Sequence, residues 1–144
     1  HEHIFLMPSL TETGAVASSR KAYEMAGYGP KDMDVAGVYD CFTGTVIMIL
    51  EDLGFCPQGE GGRSVADGHM TSSSQIPSNT HGGLLSFAHS GMPGSLFHFH
   101  EVIAQLRGQC GERQVPGAEL GLVHSLGAGF ATNATTILGT ENTL

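Results

Sequence analysis

The chain has no tryptophan, only six lysines and arginines against fourteen acidic residues, and just three cysteines in 144 residues. Each shortage excludes something. A formal net charge of −8 leaves no cationic cluster to neutralise phosphates, which argues against nucleic-acid binding. A phosphorylated small ligand stays open, because backbone N–H groups at helix starts hold phosphate without side-chain charge. Cys41, Cys56 and Cys110 form no C-x-x-C pair and no signal peptide precedes them, so reduced thiols in a cytoplasmic protein are expected, not a disulfide framework. No apolar run approaches the roughly 18–20 residues of a membrane helix, so no membrane span is expected. No G-x-S-x-G elbow occurs, which removes the standard Ser-His-Asp hydrolase.

What is present is an ordinary globular composition tilted towards glycine: 21 glycines, 40% apolar residues and only 14% charged ones. That length and composition suit one domain with a core of its own. The low charge implies that part of the surface is covered, by a second subunit or domain, and an oligomer is expected. Eight histidines invite a metal reading, but the helical i, i+4 ligand spacing is missing. His98 and His100, two apart, point about 200° apart on a helix. His1 and His3 sit in a lead-in over residues 1–10 that is expected to be partly disordered. No metal site is expected. The chain begins at His1, which fits a piece of something longer.

Local patterns outline the elements. "TETGAVASSRKAYEMAGYGPKDMD" reads as one helix, capped by Thr11 or Thr13 and stopped at Gly27 with Pro30 just beyond. "DVAGVYD" predicts a strand from Val35 to Asp40, followed by a helix over "TGTVIMILEDLGF" that ends at Gly54. From Cys56 to Ser78 the chain is polar, without a period, and "GEGG" at 59–62 reads as loop; a loop of that length is more often functional than connective. The run Leu84–Ala88 predicts a short buried strand leading into His89. "SLFHFHEVIAQLRGQCG" predicts a helix ending near Gly108 or Gly111. Two adjacent strands joined around Gly127–Gly129 close the chain, and the whole predicts a layered α/β domain.

Three glycine-flanked polar spots fall at predicted strand ends: Tyr39-Asp40-Cys41, His89, and His124-Ser125. In α/β folds strand ends and the loops after them gather active sites. Taken alone, His89 reads either as a base aimed into a site or as a structural histidine beside a loop. Cys41 reads as a nucleophile with His89 or His124 as its base, or as a buried, inert thiol, since no positive charge neighbours it.

Four segments in order carry a family resemblance: "AYEMAGYGPKDMDVAGVYDCF", "LEDLGFCPQGEGG", "IPSNTHGGLLSFAHSGMPG" and "QLRGQCGERQVPGAELGLVHSLGAG". Together they resemble the C-terminal half of a thiolase, closest to the sterol-carrier or lipid-transfer-protein type, from about Thr11 to Leu138. The resemblance implies a thiolase C-terminal-type domain over 11–144. Its expected fold is α/β, a β-α-β-α-β layered domain that forms one repeat of the five-layer αβαβα thiolase fold. It also implies roles. Tyr39-Asp40-Cys41-Phe42 matches the Asn-Glu-Ala-Phe motif, His-Asp-Cys-Phe in the lipid-transfer branch, so Tyr39 stands where a polar group helps build an oxyanion hole. Asn79, Gly82 and Gly83 match the residues before the Gly-His-Pro motif, and His89 matches its histidine, which activates the nucleophilic cysteine and helps bind the thioester oxygen. Cys-x-Gly-Gly-Gly falls on His124-Ser125-Leu126-Gly127-Ala128, putting His124 in place of the acid/base cysteine and the Leu126 N–H at an oxyanion.

The departures shape the expectation. Ser90 replaces the proline after His89, Tyr39 replaces Asn or His, and His124 replaces a cysteine. No match to the half that supplies the acylated cysteine is present. The resemblance therefore implies the C-terminal catalytic portion of a thiolase-like acyl-CoA acyltransferase, needing an N-terminal half or partner chain for its nucleophile. Coenzyme A thioesters would be substrates and no bound cofactor is expected. One alternative is a thiolase-fold aldolase on CoA-linked side chains, a branch with tyrosine among its acid/base groups. Another is a non-catalytic acyl-CoA- or lipid-binding or assembly subunit. A small partner built on an OB fold and zinc ribbon, which binds acyl-CoA, is a further implication.

Overall fold

Val35, Ala36, Gly37 and Val38 form β1 (Val35–Val38), and all four are buried. A strand covered on both faces reads as a continuous apolar run, and this one becomes the inner rail of the site. The computed structural model describes residues 9–71, 73–91 and 93–143. The expected lead-in over 1–10, with His1 and His3, falls mostly outside them. β1 pairs in parallel with β2 (Leu120–Gly127), from Val35 opposite Gly121 to Val38 opposite His124. β2 pairs antiparallel with β3 (Thr132–Gly139), giving the order β1-β2-β3. On the far edge of β1, Ala36 forms a parallel bridge with Ser78. Of the β-α-β-α-β pattern, the described residues thus contain three strands and this one bridge.

Helices cover both faces. α1 (Ala15–Ala26) starts where the Thr13 hydroxyl accepts the Ala15 N–H at 3.0 Å and stops at Gly27, whose N–H returns to the Tyr23 carbonyl. The buried Asp52 carboxylate at the end of α2 (Thr43–Asp52) receives both the N–H and the hydroxyl of Thr13, tying the two helices together. Ile49, Leu50 and Leu53 join Ala36, Val38, Leu120 and Leu122 in the main core on this face. On the other face Val102 of α5 (Ser95–Leu106) packs with Val35 and Val123. α5 comes close because β1 carries glycine under it: a Cβ on Gly37 would lie 2.7 Å from the His98 Cβ.

Three expectations are corrected. Leu84–Ala88 is not a strand; Gly83–Ser86 is a single helical turn, α4, whose Leu84 and Leu85 N–H groups go to Asp40. Residues 56–78 are not all loop, since α3 (Gly61–Ala66) begins inside "GEGG". There the Glu51 carboxylate takes the Gly61 N–H at 2.8 Å, and α2 lies so close that a Cβ on Gly61 would meet Ile47. Tertiary contact outweighs the poor helix propensity of glycine. β1 ends at Val38, not Asp40, which leaves Tyr39, Asp40 and Cys41 just past the strand. The three cysteines are free thiols. Among the described residues no helix is long and apolar enough to cross a membrane.

Candidate functional site

Where β1 stops, β2 runs on for three residues, and the gap opens into a cleft of about 510 Å³ lined by Tyr39, His89, Gly91, Leu126, Gly127, Ala128 and Thr132. Four expected site residues, Tyr39, His89, Leu126 and Gly127, therefore meet in one place although they come from three separate stretches of sequence. Ala128 and Gly91, which lie within the matched motif segments, complete the lining with Thr132, which carries no sequence signal of its own.

The Tyr39 hydroxyl lies 3.2 Å from His89 Nε2, with the rings edge-on at 79°. The Gly91 N–H donates to His89 Nδ1 at 3.1 Å. A neutral imidazole has one donor and one acceptor nitrogen, so this contact fixes the ring proton on Nε2, where it is donated to the Tyr39 oxygen. The tyrosine hydrogen is then free to point into the cleft. Burial, followed by the charges of Cys41 and Asp40, holds the Tyr39 phenol above its ordinary pKa, so the hydroxyl stays protonated and can act as donor or acid. His89 is exposed, whereas Tyr39 is only 8% exposed.

Leu126 offers a backbone donor by alternation. The Thr140 N–H bonds to the Glu119 carbonyl across the hairpin, so odd residues of β2 exchange hydrogen bonds with β3. The N–H groups of even residues, Leu126 included, point to the β1 side. β1 pairs no further than His124, so the Leu126 N–H faces the cleft beyond the end of that strand.

Other expected residues lie elsewhere. His124 is within β2, not at its end. It is 0% exposed and absent from the cleft lining. Its Nδ1 lies 3.2 Å from the Thr135 hydroxyl, and its buried Nε2 meets no hydrogen-bond partner among the described residues. Burial pushes its pKa down to about 4, over the opposing pull of the Asn133 amide. Asn79 spends its side-chain oxygen on the Val38 N–H (2.8 Å) and its amide N–H on the Val38 carbonyl (2.9 Å), continuing β1 by one rung, and lies outside the lining of this cleft. Gly83 is buried against Asp40, which lines a separate apolar groove with Val46, Val65 and Leu85. Cys41, half-buried, stands 3.8 Å from the Thr45 hydroxyl. On α5, His98 is buried and His100 exposed, as their spacing predicts. The place of His98 beside Asp40 was not legible from spacing.

A family model described as thiolase C-terminal domain-like matches residues 1–140. The chain is 42% identical over 119 residues to an acetyl-CoA acetyltransferase of Methanothermobacter thermautotrophicus, covering 83% of this chain and 31% of that protein. It is 42% identical over 118 residues to sterol carrier protein 2 of Rattus norvegicus, covering 82% of this chain and 22% of that one. Among solved structures, a chain of an Ltp2-ChsH2(DUF35) aldolase matches with a TM-score of 0.83 and 32% identity, over 95% of this chain and 35% of that chain. The chain thus spans only about a fifth to a third of the length of these relatives. By its sequence and its fold, the chain belongs to the thiolase C-terminal domain-like family.

Proposed function

We propose that this chain forms the C-terminal catalytic portion of a thiolase-like enzyme that makes or breaks a carbon–carbon bond beside an acyl-CoA thioester. The observation that carries the reading is the cleft in which the Tyr39 hydroxyl, the His89 Nε2 proton and the Leu126 N–H converge. Preorganised donors aimed at a developing oxyanion are a large term in acyl transfer. In its resting tautomer His89 donates its Nε2 proton to the Tyr39 oxygen, which leaves the Tyr39 hydroxyl to donate to the thioester oxygen, and His89 serves as base for an incoming cysteine once the Gly91 contact lets the tautomer switch. That cysteine comes from an N-terminal half or a partner chain. Phe42, Leu85, Phe87 and Leu96, each more than half exposed, supply apolar surface for such a cover. A small acyl-CoA-binding partner of the OB-fold and zinc-ribbon type fits the same assembly. His124, sealed and neutral, stays outside the proton transfers.

A second reading has its own observation. Tyr39 is a protonated phenol that already accepts a hydrogen bond from His89, which eases transient loss of its proton. That suits an acid/base group at the β-hydroxyl of a CoA-linked side chain, hence an aldolase, and the structurally similar Ltp2-ChsH2(DUF35) protein is an aldolase. A subunit that only binds acyl-CoA is the third outcome.

One experiment separates them. The chain is mixed with a thiolase-type N-terminal half, and thiolysis of acetoacetyl-CoA by CoA is followed beside aldehyde or ketone release from a β-hydroxyacyl-CoA. Thiolysis abolished by His89→Ala supports the first reading; retroaldol release abolished by Tyr39→Phe supports the second. Binding of CoA esters with neither activity leaves the third, and full thiolysis in His89→Ala sinks the role given to His89.

A further inference from the structure

Asp40 follows Tyr39 in sequence but faces away from the cleft. It is 4% exposed and accepts two hydrogen bonds, from the Leu84 N–H at 2.7 Å and the Leu85 N–H at 3.3 Å, while His98 Nε2 lies 3.3 Å from one of its oxygens. Burying a carboxylate is costly unless donors replace its water. Burial alone would raise the Asp40 pKa; His98, then the Leu84 and Leu85 N–H groups, outweigh it and hold the carboxyl below its ordinary value. The side chain is therefore an anion gripping the first turn of α4.

The surroundings are cut to this arrangement. Gly83 has φ +68°, and a Cβ there would overlap the Asp40 carboxylate. Gly37 leaves room for His98, which is 0% exposed. His81 stands edge-on to His98 with centroids 5.3 Å apart, and the Tyr39 ring lies 6.4 Å from that of His98. From the gripped turn the chain passes through Phe87, whose N–H caps back to the Gly83 carbonyl, and reaches His89 within three residues of Ser86. His89 itself is exposed, and among the described residues its hydrogen bonds go to Gly91 and Tyr39.

We infer that Asp40, held by His98, is a positioning residue that fixes α4 and so places His89 against Tyr39. One carboxylate thereby ties the end of β1, which carries Tyr39, to the segment that carries His89. The inference rests on the cleft being the functional site, but its test does not pass through turnover.

The test is NMR on the full 144-residue chain, wild type and Asp40→Asn, His98→Gln and His98→Leu. Imidazole nitrogen shifts report the His89 tautomer, nuclear Overhauser contacts report its distance to Tyr39, and amide exchange reports each element. In Asp40→Asn, exchange at Leu84 and Leu85 should rise on the order of tenfold, as losing hydrogen bonds to a charged group implies. The Tyr39–His89 contact should vanish and the His89 tautomers average, while β2–β3 exchange is unchanged. His98→Gln keeps a donor and should retain the contact; His98→Leu should lose it. A contact that survives in both Asp40→Asn and His98→Leu overturns the inference. If Asp40→Asn does not fold, the two His98 variants decide: a Leu variant that keeps the contact overturns it. Thiolysis by a variant with an undisturbed Tyr39–His89 contact leaves the functional reading standing and this inference lost. A lost contact with no turnover in wild type does the reverse.

Discussion

Replacing His124 with leucine should remove a pH dependence of stability without removing the fold. Wild-type His124 has a folded pKa pushed from 6.5 to about 4, chiefly by burial. Below pH 6.5 the unfolded chain therefore takes up a proton that the folded chain refuses. The sign follows: stability is full above the unfolded value and falls as pH drops through the window from about 6.5 to about 4. Across the whole window the loss is about 3 kcal/mol, and between pH 7.5 and pH 5 about 2 kcal/mol. The leucine variant loses the contact with Thr135, which keeps the Ser18 hydroxyl at 2.8 Å, and it no longer buries a partnerless Nε2. At pH 7.5 its stability should lie within about 1.5 kcal/mol of wild type. The assay is urea unfolding at both pH values. The midpoint difference between the proteins should shift by roughly 1–2 M between them. Asp40, Glu101 and His81 also titrate differently when folded, but they do so in both proteins and cancel. Equal pH dependence in the two proteins would refute the reasoning. It would mean that His124 titrates in reach of water, the state a proton shuttle at this position requires.

Three further outcomes follow from the geometry. Asn79→Ala removes both side-chain hydrogen bonds to Val38 and should cost about 1–3 kcal/mol; amide exchange at Val38 should accelerate before that of β2, and unchanged exchange would refute the splint role. Gly37→Ala drives a methyl group to 2.7 Å from the His98 Cβ, so α5 must shift, at about 1–3 kcal/mol and a fall in Tm of several degrees by calorimetry. Asp52→Asn weakens the acceptor that holds the Thr13 hydroxyl and N–H, and should loosen the start of α1, read as faster exchange at Ala15 with β3 unaffected.

Elements whose determinants are local were legible in the sequence. α1 has its polar cap and glycine stop, α5 its helical period, and β2 and β3 a glycine-joined apolar pair. The convergence of Tyr39, His89 and Leu126–Gly127 was legible too, because motif order survives where distance cannot be read. The misreadings have one cause, a partner far away in sequence. The short apolar run at Leu84–Ala88, broken by Ser86, suits strand or helix equally, and the choice is made by Asp40, forty-four positions before Leu84. α3 exists because Glu51 and Ile47 meet Gly61. His124 was expected at a strand end because glycines follow it, but β3 keeps pairing with β2 as far as Gly127 and buries it.

The unequal length of two neighbouring strands makes the cleft. His124 and Leu126 share one parity of β2, so both present backbone N–H groups to the β1 edge. β1 stops opposite His124, and two residues later the same parity yields a donor with no strand beside it. A backbone donor cannot be supplied by any choice of side chain at Leu126; it depends on where β1 ends. That end is held from the outer edge by the Asn79 amide on Val38 and from beyond the strand by Asp40 on α4. Letting β1 run on to Tyr39 and Asp40 would bring the Tyr39 carbonyl to the Leu126 N–H and draw the Asp40 carboxylate off α4. The same residues that shorten the strand therefore leave the donor free and set Tyr39 and His89 around it.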